Sequence, residues 1–437
     1  LWLENSSDSP RMLSVFPTVS FSLDGFSHPR YYEMYRSIET SFDEKLNGIY
    51  CRSAHPFAPH RRYNGYLASS EPVFAFDGDL TAFFGSLSTQ TETDAASTAR
   101  YQRPRRLLSG ENCTNSGGAL FIPGAVLQHK LTLLPGERRE IRLVFGAAES
   151  LEEAQEAAAM YTTEDAQSDA LKMAEAHYRE KYAALSVQTP DEKLNRIMNL
   201  WLKKQVDFCI VGKKGVRDNL QIAVALLNYR PEKAKAEILE CLRHQFRDGH
   251  AVLTWYPYDD THYSDQPFWI IWAVCQLLKE TGDKSILDLP IEWQDGGEAS
   301  VLDHVKAAVR RLLDDRGRNG LVRIFFADWN DALNIPPEEE AESVMLSEQF
   351  CLALRELKAL MLWIGDGEYA AFCKKACDEM KAAINRAAWD GGWYRRALAP
   401  TENIGSKDSS GSKIYLNAQT WAVLGDVVPE DRLPALL

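Results

Sequence analysis

The feature that most constrains this chain is a change of character at residue 147. Up to Gly146 the segments are short and rich in aromatic and β-branched residues, as in MLSVFPTVSFSL (12–23), PVFAFDG (72–78) and REIRLVFG (139–146), with Gly, Pro, Asn and Ser between them. That pattern predicts an antiparallel β-sandwich. From Ala147 the sequence turns to charged, strongly helix-forming runs, and from Thr189-Pro190-Asp191, a helix start, helical periodicity continues to the end. Helices are expected over about 191–211, 218–229, 231–247, 266–281, 301–314, 342–364, 367–388 and from 416 onward. Val344, Leu346, Phe350, Leu354, Leu357 and Met361 show the three- and four-residue spacing that supports this reading.

A chain of 437 residues has room for two or three domains. We expect a β-sandwich over 1–146, a helical linker over 147–189 and an (α/α)6 toroid over 190–437. Both ends read as cut rather than capped, so the toroid is expected to be incomplete at its C-terminal end and the chain to be one part of a longer protein.

Composition removes several function classes. With 49 Lys and Arg against 62 Asp and Glu, the formal net charge is -13, and no basic patch suits a phosphate backbone. Nucleic acid is therefore not an expected partner. No apolar run approaches the roughly 18 residues of a membrane span, and LWLENSSDSPRML lacks the basic start and apolar middle of a signal peptide. A soluble cytoplasmic protein is expected. The eight cysteines are scattered and expected to be reduced; Cys373 and Cys377 stand four apart on a predicted helix, but no further ligands complete a metal site, and none is expected.

The densest chemistry lies in Ala327-Asp328-Trp329-Asn330-Asp331-Ala332-Leu333-Asn334, where two carboxylates, an indole and two amides share eight residues. A Trp face suits a sugar ring, and Asp and Asn supply directional hydrogen bonds to hydroxyls. The same residues also suit a capped turn in which both aspartates accept backbone N–H groups. Three more stretches share this character. Arg217-Asp218 at a helix start suits a clamp on vicinal hydroxyls, or else an N-cap by Asp218 with a surface Arg217. The others are Gln245 through Trp255-Tyr256-Pro257 and Tyr263-Ser264-Asp265-Gln266-Pro267-Phe268-Trp269, from which Trp255 and Asp265 are taken as sugar contacts together with Asn330.

The ordered set GVRDNLQ, HQFRDGHAVLTWYP, YSDQPFW, KETGD, ADWNDALN, AESVMLS, WDGGWYRRA and KIYLNAQTWAVL resembles the glycoside hydrolase family 94 phosphorylases over most of residues 190–425. The resemblance implies a β-sandwich, a helical linker, an (α/α)6 barrel and a small C-terminal β-domain. It implies Asp331 as general acid and Arg217, Asp218 and Trp329 in the donor-sugar subsite, with Asp328 as a positioning residue. It implies no cofactor, inorganic phosphate as co-substrate and a homodimer whose β-domain borders the partner's site; the cationic, aromatic segment from Tyr50 to Tyr66 is the candidate contact, or else a solvated loop. Where the family carries an arginine before the Arg-Asp pair, this chain has Lys213 and Lys214, point charges in place of a bidentate fork, and it has Ile222 where many members have Asp.

Phosphorolysis needs one acid and not two, because phosphate is already anionic and attacks the anomeric carbon itself. The expected reaction is inverting phosphorolysis of a β-linked gluco-oligosaccharide to an α-sugar 1-phosphate. Burial beside Trp329 or the neighbouring Asp328 is expected to raise the pKa of Asp331. Two alternatives stay open: an inverting (α/α)6 glycoside hydrolase in which Asp218 or Asp265 activates water, and a non-catalytic saccharide-binding relative.

Overall fold

The computed structural model describes residues 1–21, 38–53, 63–85, 104–119, 123–210, 214–333, 335 and 340–437. It divides into two compact units, Leu1–Arg179 and Glu180–Leu437.

The first unit is built on antiparallel strands: β1 (Trp2–Glu4), β2 (Arg11–Val15), β3 (Thr18–Ser20), β4 (Ile38–Asp43), β5 (Gly48–Ser53), β6 (Asn64–Ser69), β7 (Ala75–Asp79), β8 (Gly118–Ala119), β9 (Pro123–Leu133), β10 (Arg138–Glu140) and β11 (Leu143–Ala148). One sheet runs β11-β6-β5-β4-β8, and in the other β2, β3 and β7 all pair with the long β9. Successive side chains point to opposite faces of a strand. On β5 and β6, Ile49, Cys51 and Leu67 accordingly point inward to Phe21, Ala125 and Leu127, the apolar layer between the sheets. The alternate residues Tyr50, Tyr66 and Ala68 face outward, where Ala154 and Ala158 of helix α1 (Leu151–Tyr161) cover them. Ser150 starts that helix by accepting from the amide of Glu153 at 3.1 Å. The following α2 (Glu164–Lys181) buries no residue.

In the second unit the α-helices of eight or more residues are α3 (Leu202–Cys209), α4 (Val216–Leu226), α5 (Pro231–Leu242), α6 (Gln266–Thr281), α7 (Val301–Asp314), α8 (Val344–Ile364), α9 (Gly367–Ala387) and α10 (Leu416–Leu424). Helices α4, α6, α8 and α10 pack side by side as an inner row, while α5, α7 and α9 each pack behind the inner helix before them. This is an arc of an (α/α) toroid. A helix apolar on all sides has to be covered on all sides. Inner helix α8 buries Val344, Met345, Leu346, Phe350, Ala353, Leu354, Leu357 and Met361, whereas outer helix α7 confines Val301, Val305, Val309 and Leu312 to one face. Several expected boundaries move: the helix expected over 218–229 spans Val216–Leu226, the one expected to reach 247 ends at Leu242, and the one expected from 342 begins at Val344.

The consequence for function lies at one end of the arc. Arg217, Asp265 and Ser343 sit at the N-terminal ends of α4, α6 and α8. Three successive inner helices therefore aim their first turns, with their partial positive charge, at one place.

Candidate active site

The loop Ala327–Leu333 is shaped by its own side chains. Asp328 Oδ1 accepts from the amide of Asn330 at 2.9 Å, and Asn330 Oδ1 accepts from the amide of Ala332 at 3.1 Å, so two short turns follow each other. The loop is stapled to the segment leading into α6, because the Ser264 amide donates to the Ala327 carbonyl at 2.9 Å and the Phe325 amide donates to Ser264 Oγ at 3.1 Å.

Arg217 organises what this loop presents. The residue is 8% exposed, and its guanidinium lies 5.5 Å from the centre of the Tyr263 ring. Nη2 donates to Asp331 Oδ1 at 2.9 Å, and Nη1 donates to the carbonyls of Asp328 and Trp329 at 3.4 and 3.3 Å. The same guanidinium is 3.6 Å from Asp265 Oδ2 and 3.6 Å from Asp218 Oδ1. The expectation of a surface Arg217 with Asp218 as N-cap does not hold: Gly215 caps α4, and Asp218 is a half-exposed residue of its first turn.

The two aspartates of the loop have opposite surroundings. Asp328 is fully buried; Oδ1 accepts from Arg396 Nη2 at 2.6 Å and Oδ2 from Ser343 Oγ at 2.6 Å. Asp331 presents a side chain that is 62% exposed, and beside it Trp329 is 47% exposed. The burial expected at Asp331 is therefore corrected: the loop turns this carboxylate outward onto Arg217, and Asp328 is the one that goes inside. Of the two residues expected to satisfy a turn, only Asp328 accepts a backbone amide among the described bonds.

The remaining predicted contacts divide. Asn330 spends its side-chain carbonyl inside the loop. Asp265 is completely buried behind Arg217, with Oδ2 accepting from Trp269 Nε1 at 2.8 Å and Oδ1 without a hydrogen-bond partner among the described residues. Burial pushes its carboxyl up to about 6, against the pull of Arg217. It thus forms the floor of the site and not its sugar-facing surface. Trp255 is half-buried and stacks on His244, ring centres 4.3 Å apart, in β13 (Thr254–Tyr256), which lies between β12 (Lys214–Gly215) and β14 (Tyr258–Asp259). Lys214 pairs through its backbone with Tyr256; Lys213 lies outside the described residues, as do Asn334 and residues 54–62 of the cationic segment in the first unit.

Sequence reasoning assigned no role to Tyr263, Ser343 or Arg396. Their only signal was membership of the stretches YSDQPFW, AESVMLS and WDGGWYRRA, since each acts through a partner distant in the chain. No group of three or more His, Cys, Asp or Glu side chains among the described residues forms a metal site, and no described helix is long and apolar enough to cross a membrane.

The arrangement offers an accessible carboxylate beside an exposed indole, both set by an arginine whose charge is shared among three acids. It suits holding a sugar ring and delivering a proton to a glycosidic oxygen. The sequence matches two family models. Residues 177–436 match the family model described as Glycosyl hydrolase 94 superfamily, catalytic domain, and residues 1–164 match Glycosyl hydrolase 94, supersandwich domain. Solabiose phosphorylase of Paenibacillus borealis is 33% identical over 437 residues, covering 98% of this chain and 55% of that protein. N,N'-diacetylchitobiose phosphorylase of Vibrio proteolyticus is 28% identical over 493 residues, covering 98% of this chain and 57% of that one. Among solved structures, a GH78 family rhamnosidase of Bacillus sp. GL1 aligns at a TM-score of 0.47 and 12% identity, over 86% of this chain and 37% of its own. The chain spans about half the length of the phosphorylases it matches.

Proposed function

The chain belongs to glycoside hydrolase family 94, and from that premise we propose that it carries the donor-sugar site and the proton donor of an inverting phosphorolysis of a β-linked gluco-oligosaccharide. The observation that carries this reading is the position of Asp331: an outward-facing carboxylate beside the exposed Trp329, held by Arg217. In the reaction, Asp331 gives its proton to the glycosidic oxygen as the bond from that oxygen to the anomeric carbon breaks. A phosphate oxygen forms the new bond from the opposite face, leaving an α-sugar 1-phosphate and the released saccharide. Trp329 supplies the apolar face for the ring, and Arg217 and Asp218 supply hydrogen bonds to its hydroxyls. We assign phosphate to Lys213 and Lys214, which in the sequence stand just ahead of the Arg217-Asp218 pair. The names of the two relatives support phosphate as co-substrate.

A second reading has one observation in its favour. Asp218 is a half-exposed carboxylate on the same guanidinium as Asp331, as an inverting hydrolase would need for a base. Incubating β-linked glucose disaccharides and oligosaccharides with and without inorganic phosphate separates the two. Phosphate-dependent sugar 1-phosphate that disappears in Asp331→Asn supports phosphorolysis; free sugar released without phosphate supports the hydrolase; saccharide binding with no turnover supports a binding relative.

A further inference from the structure

We propose that Arg396 is a positioning residue for the acid-bearing loop, fixing where Asp331 and Trp329 point by clamping Asp328 from inside the protein. The inference rests on the reading of Asp331 as proton donor. It concerns a residue 65 positions further along the chain, on the segment that follows α9.

The clamp joins three distant pieces of chain. Arg396 Nη2 donates to Asp328 Oδ1 at 2.6 Å with both side chains at 0% exposure, and Arg396 Nη1 donates to Ser343 Oγ at 3.4 Å. Ser343 Oγ in turn donates to Asp328 Oδ2 and accepts from the Leu346 amide at 3.0 Å, which ties the cluster to the first turn of α8. The backbone holds the same pieces together: Ser343 pairs with Ala397, and the Arg396 amide donates to the Ile404 carbonyl at 2.8 Å. Asp328 thus accepts from Arg396, Ser343 and the Asn330 amide, and the last of these bonds makes the turn that presents Trp329 and Asp331.

The cost of desolvating both charges offsets much of what a buried ion pair gains from its attraction, so this pair is not explained by stability alone. Its geometry fits a different use. Arg217 holds the loop from the solvent side, through the carbonyls of Asp328 and Trp329 and the carboxylate of Asp331, while Arg396 holds it from within. A four-residue turn gripped on both sides has little freedom to tilt its last carboxylate. A second acid stands near Arg396: Glu348 is fully buried with both carboxyl oxygens unpartnered among the described residues, and burial raises its carboxyl well above the usual range against the pull of the Arg396 charge.

The test compares wild type with Arg396→Gln and Arg396→Lys. Hydrogen exchange read by mass spectrometry should show the peptide spanning 327–333 exchanging at least about tenfold faster in Arg396→Gln, with α6 and α8 unchanged and Arg396→Lys intermediate. Phosphorolysis of a disaccharide should fall by about 10²-fold in Arg396→Gln at nearly constant KM, as expected for a misplaced catalytic group. With a 2,4-dinitrophenyl β-glycoside, whose leaving group needs no proton, the loss should stay under about tenfold. Unchanged exchange in the loop, exchange raised uniformly through the second unit, or equal losses on both substrates would each overturn the proposal. Should Arg396→Gln not fold, Arg396→Lys alone carries the comparison. Undiminished phosphorolysis by Asp331→Asn is a different result: it defeats the proton-donor reading and leaves the loop measurement standing.

Discussion

The site has a dry floor and a wet rim, and the two are made of the same residue types. On the floor, Asp265, Asp328 and Arg396 are fully buried, and each carboxylate is bound by a fixed donor, Asp265 by Trp269 one turn on and Asp328 by the distant Arg396. On the rim, Asp218 and Asp331 are at least half-exposed and among the described residues share only the Arg217 guanidinium. Two aspartates three residues apart in one motif therefore do different work: Asp328 builds the turn, and Asp331 is what the turn presents. Identity of residue does not settle role; the number of fixed donors around each carboxylate does.

Four outcomes would break or sharpen this contrast. The largest is expected at Asp328→Ala, which leaves Arg396 charged and buried; breaking such a pair typically costs about 3–5 kcal/mol, read as a lowered denaturant midpoint. The next concerns Asp265. Its folded value of about 6 lies above the ordinary 3.8, so the folded state binds the extra proton and stability from this group is lost as pH rises between those values. His262, pushed down to about 4 mainly by burial, acts in the opposite sense, with stability lost as pH falls through the same range. Unfolding measured from pH 4 to 6.5 should therefore show a steeper rise of stability with pH in Asp265→Asn than in wild type, the two curves diverging by on the order of 3 kcal/mol. A constant offset between them would place Asp265 on the rim.

Smaller effects belong to the rim itself. Trp329→Ala should weaken saccharide binding by about 1 kcal/mol with folding nearly unaltered, measured by calorimetric titration. Asp218→Asn should leave stability within about 0.5 kcal/mol of wild type, since an exposed partner of Arg217 is easily replaced by water. A loss of several kcal/mol there would move Asp218 to the floor.

Much of the architecture was legible because it depends on local patterns. The change at residue 147 separates strands from helices, and the periodicity of 344–361 marks an inner helix whose ends the capping residues Ser343 and Gly365 confirm. The motif around Trp329 was legible as a concentration of chemistry. What local patterns do not carry is direction. Nothing between Ala327 and Asn334 says which aspartate turns inward; that depends on Arg396, 68 residues beyond Asp328, and on Arg217, 111 residues before it. The expected burial of Asp331 failed for this reason: its neighbours in sequence are apolar and acidic, but its neighbour in space is a guanidinium. The five-residue π-helical turn Ile197–Trp201 ahead of α3 was likewise invisible, since an inserted residue leaves the apolar spacing nearly unchanged over so short a stretch.

The most direct measurement of the floor-and-rim account is the pair of values, free energy of unfolding and rate of phosphate-dependent sugar 1-phosphate release, obtained on Asp331→Asn and wild type in one set of preparations. The account predicts a denaturant midpoint within error of wild type together with a loss of turnover of about 10²–10⁴-fold, the contribution of a general acid. Turnover close to wild type, or a loss of activity matched by a loss of several kcal/mol in stability, would contradict it.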